Sequence, residues 1–124
     1  MTAATEHDLI TQAALDYFEG WFDGDVARMD RALHANLVKR GVDDESEAES
    51  ICMTTKQRML EPTATGQGAQ EAEEAGSQRL DVTVVDVYGD IASVTVRSAV
   101  YREYLHLVRT RDGWEIANAL WRPT

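Results

Sequence analysis

Few side chains in this 124-residue sequence have the types and neighbours that chemistry requires, and most of them lie in its last third. Asn118 keeps two-residue spacing with Ile116 and Leu120, and an amide in apolar company needs a hydrogen-bond partner. It is therefore the preferred polar residue of a ligand pocket. Arg97 stands midway along a run with Val94, Val96 and Val100. From there it can reach an anionic ligand group, snorkel to solvent, or pair with Asp86 or Asp81. Asp81 is a weak acid/base candidate because strand alternation can aim it inward, whereas Asp86 precedes a turn and reads as solvated. His106 shares a period-two face with Tyr104, Val108, Ala119 and Trp121. That face lines a ligand site if concave and forms a homodimer interface if convex; the small Ala117 and Ala119 favour the interface by letting another sheet approach closely.

Other chemistries lack their residues. His7, His34 and His106 are far apart and Cys52 has no companion, so no metal is expected. No GxSxG motif occurs, and Cys52 reads as a small buried residue as readily as a reactive thiol. Gly66 and Gly68 lack the Lys-Ser/Thr of a phosphate cradle, and no cofactor is expected.

The elements that position these residues follow from periodicity. Asp112-Gly113 between two apolar runs is a hairpin turn signal, and a type I′ turn there pairs Arg111 with Trp114, Leu107 with Asn118 and Leu105 with Leu120. Leu105, Leu107, Trp114, Ile116 and Leu120 then share one face with Asn118. Residues 79–88 and 91–101 alternate as strands about a Gly89-Asp90 turn. Leu9, Ala13, Tyr17 and Trp21 form one helical row over residues 6–23, with Ile10, Ala14, Phe18 and Phe22 beside it. Thr5 with Asp8 resembles a capping box, Gly24 is a stop, and Asp25 caps a second helix ending near His34 to Asn36. Residues 37–40 read as a short strand and 43–50 as a loop or the start of a weak helix. Thr54 or Thr55 caps a helix through Leu60 that Pro62 should end. Residues 62–78 hold no large apolar residue and are expected to be a mobile excursion with little to pack against. The sum is one α+β domain over 1–124, variable over about 43–78.

The net charge of −10 is concentrated over residues 41–76, where nine acids face Lys56 and Arg58. That balance argues against nucleic acid and anionic membrane as partners. The N-terminal residues have neither a basic nor an apolar leader character, no run is long enough to span a membrane, and a cytoplasmic location is expected.

The segment YFEGWFDGDVARMDRALH (17–34) and the terminal YLHLVRTRDGWEIANALWRP together resemble the putative lumazine-binding family of the nuclear transport factor 2-like superfamily, along nearly the whole chain. The resemblance implies a cone in which a strongly bent sheet wraps around the first helix and leaves a pocket at its wider end. Superfamily members include ketosteroid isomerase, polyketide cyclases, dehydratases and non-catalytic modules, so fold alone does not give function. Isomerase-type members use a carboxylate base with a tyrosine and a neutral acid; Tyr17 resembles such a donor but equally completes a helical core row. His34 stands where related families carry a pocket histidine, against a helix-end role. No carboxylate is presented clearly on an inner face. Three functions remain open: a pocket protein for an apolar or aromatic small molecule, with Tyr17, Trp21, Met59, Arg97 and Asn118 at its wall; an isomerase- or dehydratase-type enzyme using His34 or Asp81; and a dimerising scaffold.

Overall fold

The computed structural model describes residues 5–42 and 51–124, so the expected loop over 43–50 lies outside the described residues. Helix α1 (Glu6–Asp23) starts at a capping box in which the Asp8 amide donates to the Thr5 hydroxyl at 3.1 Å and the Thr5 amide donates to Asp8 Oδ2 at 3.2 Å. It stops at Gly24, whose φ of 69° is the left-handed conformation of a C-terminal cap. Asp25 caps α2 (Val26–Ala32), which passes directly into β1 (Leu33–Gly41); the strand thus begins before the residues expected to end the helix.

Residues 52–76 are more ordered than their composition suggests. After the short strand β2 (Cys52–Thr54), α3 (Lys56–Ala64) runs through Pro62. The proline falls in the last turn, where it forfeits one backbone bond, while the buried Met59 and Thr63 hold the helix down. Helix α4 (Gln67–Ala75) does find something to pack against. Gly68 sits on the backbone of Trp21, so close that a Cβ would stand 2.2 Å from the Trp21 carbonyl oxygen, and Ala72 is buried beside it. The missing large apolar residues are what permits this contact.

Strands β3 (Leu80–Tyr88), β4 (Ile91–Ser98), β5 (Tyr101–Thr110) and β6 (Gly113–Pro123) form an antiparallel meander, and β1 joins β6 in parallel to give the order β2-β1-β6-β5-β4-β3. Leu33, Leu37, Val94, Val96, Leu105, Leu107 and Ile116 bury their side chains in the core with Phe18 and Phe22 of α1. The terminal hairpin departs from the expected register twice. Its turn centres on Arg111 and Asp112, with Thr110 opposite Gly113, and only the glycine has positive φ, so the turn is not type I′. A bulge at Ala117 then shifts the pairing from Leu107 opposite Ile116 to His106 opposite Asn118. Because side chains alternate, the extra residue turns Ala119 and Trp121 inward and Asn118 and Leu120 outward.

Asp16 ties α1 to α2. Although only 5% exposed, it accepts from Gln12, from Arg28 Nε at 3.0 Å and from both Nε and a terminal nitrogen of Arg31. Burial alone would raise its pKa, but the bonds from Arg31, Gln12 and Arg28 outweigh it and the net shift is downward. A depressed carboxylate contributes stability that is full above its ordinary value of 3.8 and is lost as pH falls through the lower folded value. Asp16→Asn should cost about 2 to 3 kcal/mol at neutral pH, mostly through Arg28 because Arg31 is largely exposed. Thermal melts between about pH 2 and 6 should show the gap from wild type closing on acidification; a constant gap would mean that Asp16 does not act as an anion.

Candidate functional site

On the inner face of β5 the apolar row Leu107, Leu105 continues to Glu103, a carboxylate only 1% exposed. On β1, Lys39 follows Leu37 by the same two-residue step and points the same way. Lys39 pairs with Ala119 and Glu103 with Trp121, so the two charges flank β6 from opposite sides. Tyr17 of α1 comes down between them. Its hydroxyl donates to Glu103 Oε2 at 2.7 Å and accepts from Lys39 Nζ, which is 3.9 Å from that same carboxylate oxygen. The ammonium also lies 5.6 Å from the centre of the Trp121 ring, a cation–π distance.

A second carboxylate stands beside this cluster. Glu71 of α4 accepts from Trp21 Nε1 at 3.1 Å and from the Tyr101 hydroxyl, and Tyr101 meets Trp121 edge to face at 5.3 Å. Tyr17, Lys39, Tyr101 and Glu103 line a cavity of about 190 Å³, walled by Phe18, Trp21, Met59 and Trp121, with Arg58 and Gln67 also on its lining and Glu71 behind Trp21 and Tyr101. For scale, an apolar cavity of about 150 Å³ holds a benzene ring.

Burial governs the protonation of the floor. It pushes the Glu103 carboxyl up, against the pull of Lys39 and the Tyr17 bond, and it pushes the Lys39 ammonium down, against the attraction of Glu103 and Glu71. Tyr17 is raised well above an ordinary phenol by burial and by Glu103. The three thus form a proton-sharing set in which acid and amine are both drawn toward neutrality and the phenol keeps its proton. Among the described residues no group of three or more His, Cys, Asp or Glu is arranged to hold a metal.

The model of the family described as "Putative lumazine-binding" matches residues 5–122. The chain belongs to that family. Similar solved structures carry the fold across organisms. A nuclear transport factor 2-like protein of unknown function from Silicibacter pomeroyi superposes with a TM-score of 0.70 at 15% identity, over the whole of both chains. A nuclear transport factor 2-like protein of unknown function in nutrient uptake from Rhodospirillum rubrum gives 0.62 at 21% identity, covering 93% of this chain and 98% of that one. A ketosteroid isomerase-like protein from Erwinia carotovora atroseptica gives 0.60 at 15% identity, covering 98% of each chain. At these identities the likeness establishes the α+β fold of the superfamily. No curated protein matches.

Within this putative lumazine-binding fold, Tyr17, Trp21 and Met59 line the cavity, as does Trp121, which was expected at a dimer interface. Asn118 does not: the Ala117 bulge turns it to the outer face opposite His106, where both are exposed. Arg97 and Asp81 face each other across β3 and β4 and are exposed. His34 is half-buried outside the cavity and accepts from the Asn36 amide through Nδ1. Ala119 is in the core, while Tyr104, His106 and Val108 remain on the outer side. The residues that the sequence reading missed are Lys39, Glu71, Tyr101 and Glu103. For Glu103 the signal existed, since it keeps the two-residue step of Leu105 and Leu107; for Lys39 it was the step from Leu37.

A buried pair is fragile to the loss of one member. Glu103→Leu should destabilise the protein by about 3 kcal/mol by leaving Lys39 without its anion, and adding Lys39→Met should recover most of the loss. Denaturant melts of the single and double variants check this; equal melts of the two would show that the charges are not coupled.

Proposed function

We propose that the protein binds a small, flat, apolar or aromatic molecule inside this cavity, with a polar group of the ligand set against Lys39 and Glu103. The observation that carries the reading is an open cavity with aromatic walls and a few convergent polar groups, the usual make-up of a small-molecule site. Lumazine, named in the family description, is a flat ring compound of the appropriate kind. Trp21 and Trp121 line the cavity and Trp114 does not, which supplies an internal reporter. Titration with lumazine and small aromatic acids should give saturable quenching of tryptophan emission, with affinities of about micromolar order for the ligand that fits. Met59→Trp should fill the space and abolish quenching in a folded protein. Quenching that persists in that variant would place binding elsewhere.

Glu103 supports a second reading, an isomerase- or dehydratase-type enzyme. Its inward carboxyl, raised by burial and bonded to Tyr17, is the general-base candidate that His34 and Asp81 do not supply. Glu103→Gln should then keep binding and lose α-hydrogen exchange of a bound ketone in deuterated water.

A homodimer and a cytoplasmic location belong to the same proposal. The outer sheet face exposes Tyr104 and Leu120, 52% and 47% exposed, beside Val108, His106 and Asn118, and these suit a second copy of the same face. Cys52 is the sole cysteine, and no helix among the described residues is long and apolar enough to cross a membrane. Sedimentation at about 50 µM should show a dimer that Leu120→Glu dissociates without unfolding. A wild-type monomer at that concentration argues against it.

A further inference from the structure

Lys39 is placed as a nucleophile rather than as a surface cation. Its side chain is only 13% exposed, it lies on the cavity lining, and its amine is held between the Tyr17 hydroxyl, the Met59 sulfur at 3.9 Å and the Trp121 ring. The sequence contains one other lysine, Lys56, and its situation is the reverse. Lys56 Nζ donates to the Asp30 and Leu33 carbonyls, both at 3.0 Å, and pairs with the Asp30 carboxylate at 3.2 Å, so it is anchored outside the cavity at the end of α2.

From this placement the geometry points to a covalent activity: Lys39 captures the carbonyl carbon of a small aromatic aldehyde or ketone as an imine, with Tyr17 and Glu103 moving the protons. The inference rests on the reading of the cavity as a small-molecule site. Chemically, an amine attacks only when neutral, and desolvation in an apolar pocket is the usual way a protein makes a lysine nucleophilic. Burial drives Lys39 in that direction.

The steps balance within the cluster. The Lys39 ammonium passes one proton through the Tyr17 hydroxyl to the Glu103 carboxylate, along contacts already formed. The amine lone pair forms the C–N bond while the carbonyl π pair moves to oxygen, and a nitrogen proton crosses to that oxygen to give a neutral carbinolamine. Glu103 then returns its proton to the hydroxyl, which leaves as water, and the nitrogen lone pair closes the C=N bond. Ammonium plus carbonyl gives iminium plus water, each side carrying one positive charge.

Benzaldehyde is a suitable probe, with benzyl alcohol as a partner of the same shape that cannot form an imine. The intact protein is incubated with benzaldehyde and cyanoborohydride, which reduces only the imine, and the modified lysine is located by peptide mass spectrometry, with the N-terminal amine scored separately. Lys39 should acquire the benzyl group at least about tenfold faster than Lys56, whose amine is tied up by two backbone carbonyls and a carboxylate. Tyr17→Phe should slow the trapping at Lys39, and Lys39→Arg should abolish it; the wild-type map alone decides should the arginine variant not fold. Equal labelling of the lysines, or labelling confined to Lys56, overturns the proposal. Tryptophan quenching by benzyl alcohol without a Lys39 adduct overturns imine formation and leaves the cavity reading intact, whereas neither quenching nor an adduct overturns both.

Discussion

The structure depends on bringing an ammonium and a carboxylate out of water together. Either charge alone on the inner face of this sheet would be unsupportable, because desolvating an isolated ion costs several kcal/mol even after relaxation. Lys39 from β1, Glu103 from β5 and Tyr17 from α1 satisfy one another, and this requires the first helix, the parallel strand and the meander to converge at one end of the sheet. The aromatic walls then lower the local dielectric and strengthen every contact of the set. The same burial that opposes both charges makes the pair chemically responsive, since it raises the pKa of the Glu103 carboxyl and lowers that of the Lys39 ammonium.

Much of this architecture is legible in the residues. The capping box of Thr5 and Asp8, the stop at Gly24 and the period-two runs of the last third are local signals, and local hydrogen bonding and alternation decide them. The hairpin is different. Thr110, Arg111, Asp112 and Gly113 specify a turn, but a bulge at Ala117 is set by how β6 must sit between β5 and β1, and no local residue announces it. A single extra residue exchanged Asn118 for Trp121 at the cavity, which is why the amide expected inside is outside. Likewise α4 reads as featureless because its contact is made by the absence of side chains; Gly68 against Trp21 is a tertiary fit that hydrophobicity does not record.

Glu71 shows how such a segment acquires a role. It is one of the many acids that give the chain its charge, yet α4 delivers it to Trp21 and Tyr101 on two other elements. The cavity wall is therefore braced from the side that composition alone would have left open. Its neighbours Glu73 and Glu74 stay exposed, so the same short acidic run serves both solubility and structure.

The position of β6 has a consequence for biogenesis. It lies between β5, its neighbour in sequence, and β1, more than seventy residues earlier, and it carries Trp121 to the cavity. While the chain is being synthesised, β1 has no long strand to pair with and Lys39 no carboxylate until the later strands emerge. Much of the aromatic face of α1 must therefore wait with only α4 against Trp21 to cover it, and the decisive long-range pairing closes last, a topology that folds slowly and leans on whatever shields a nascent chain from aggregation.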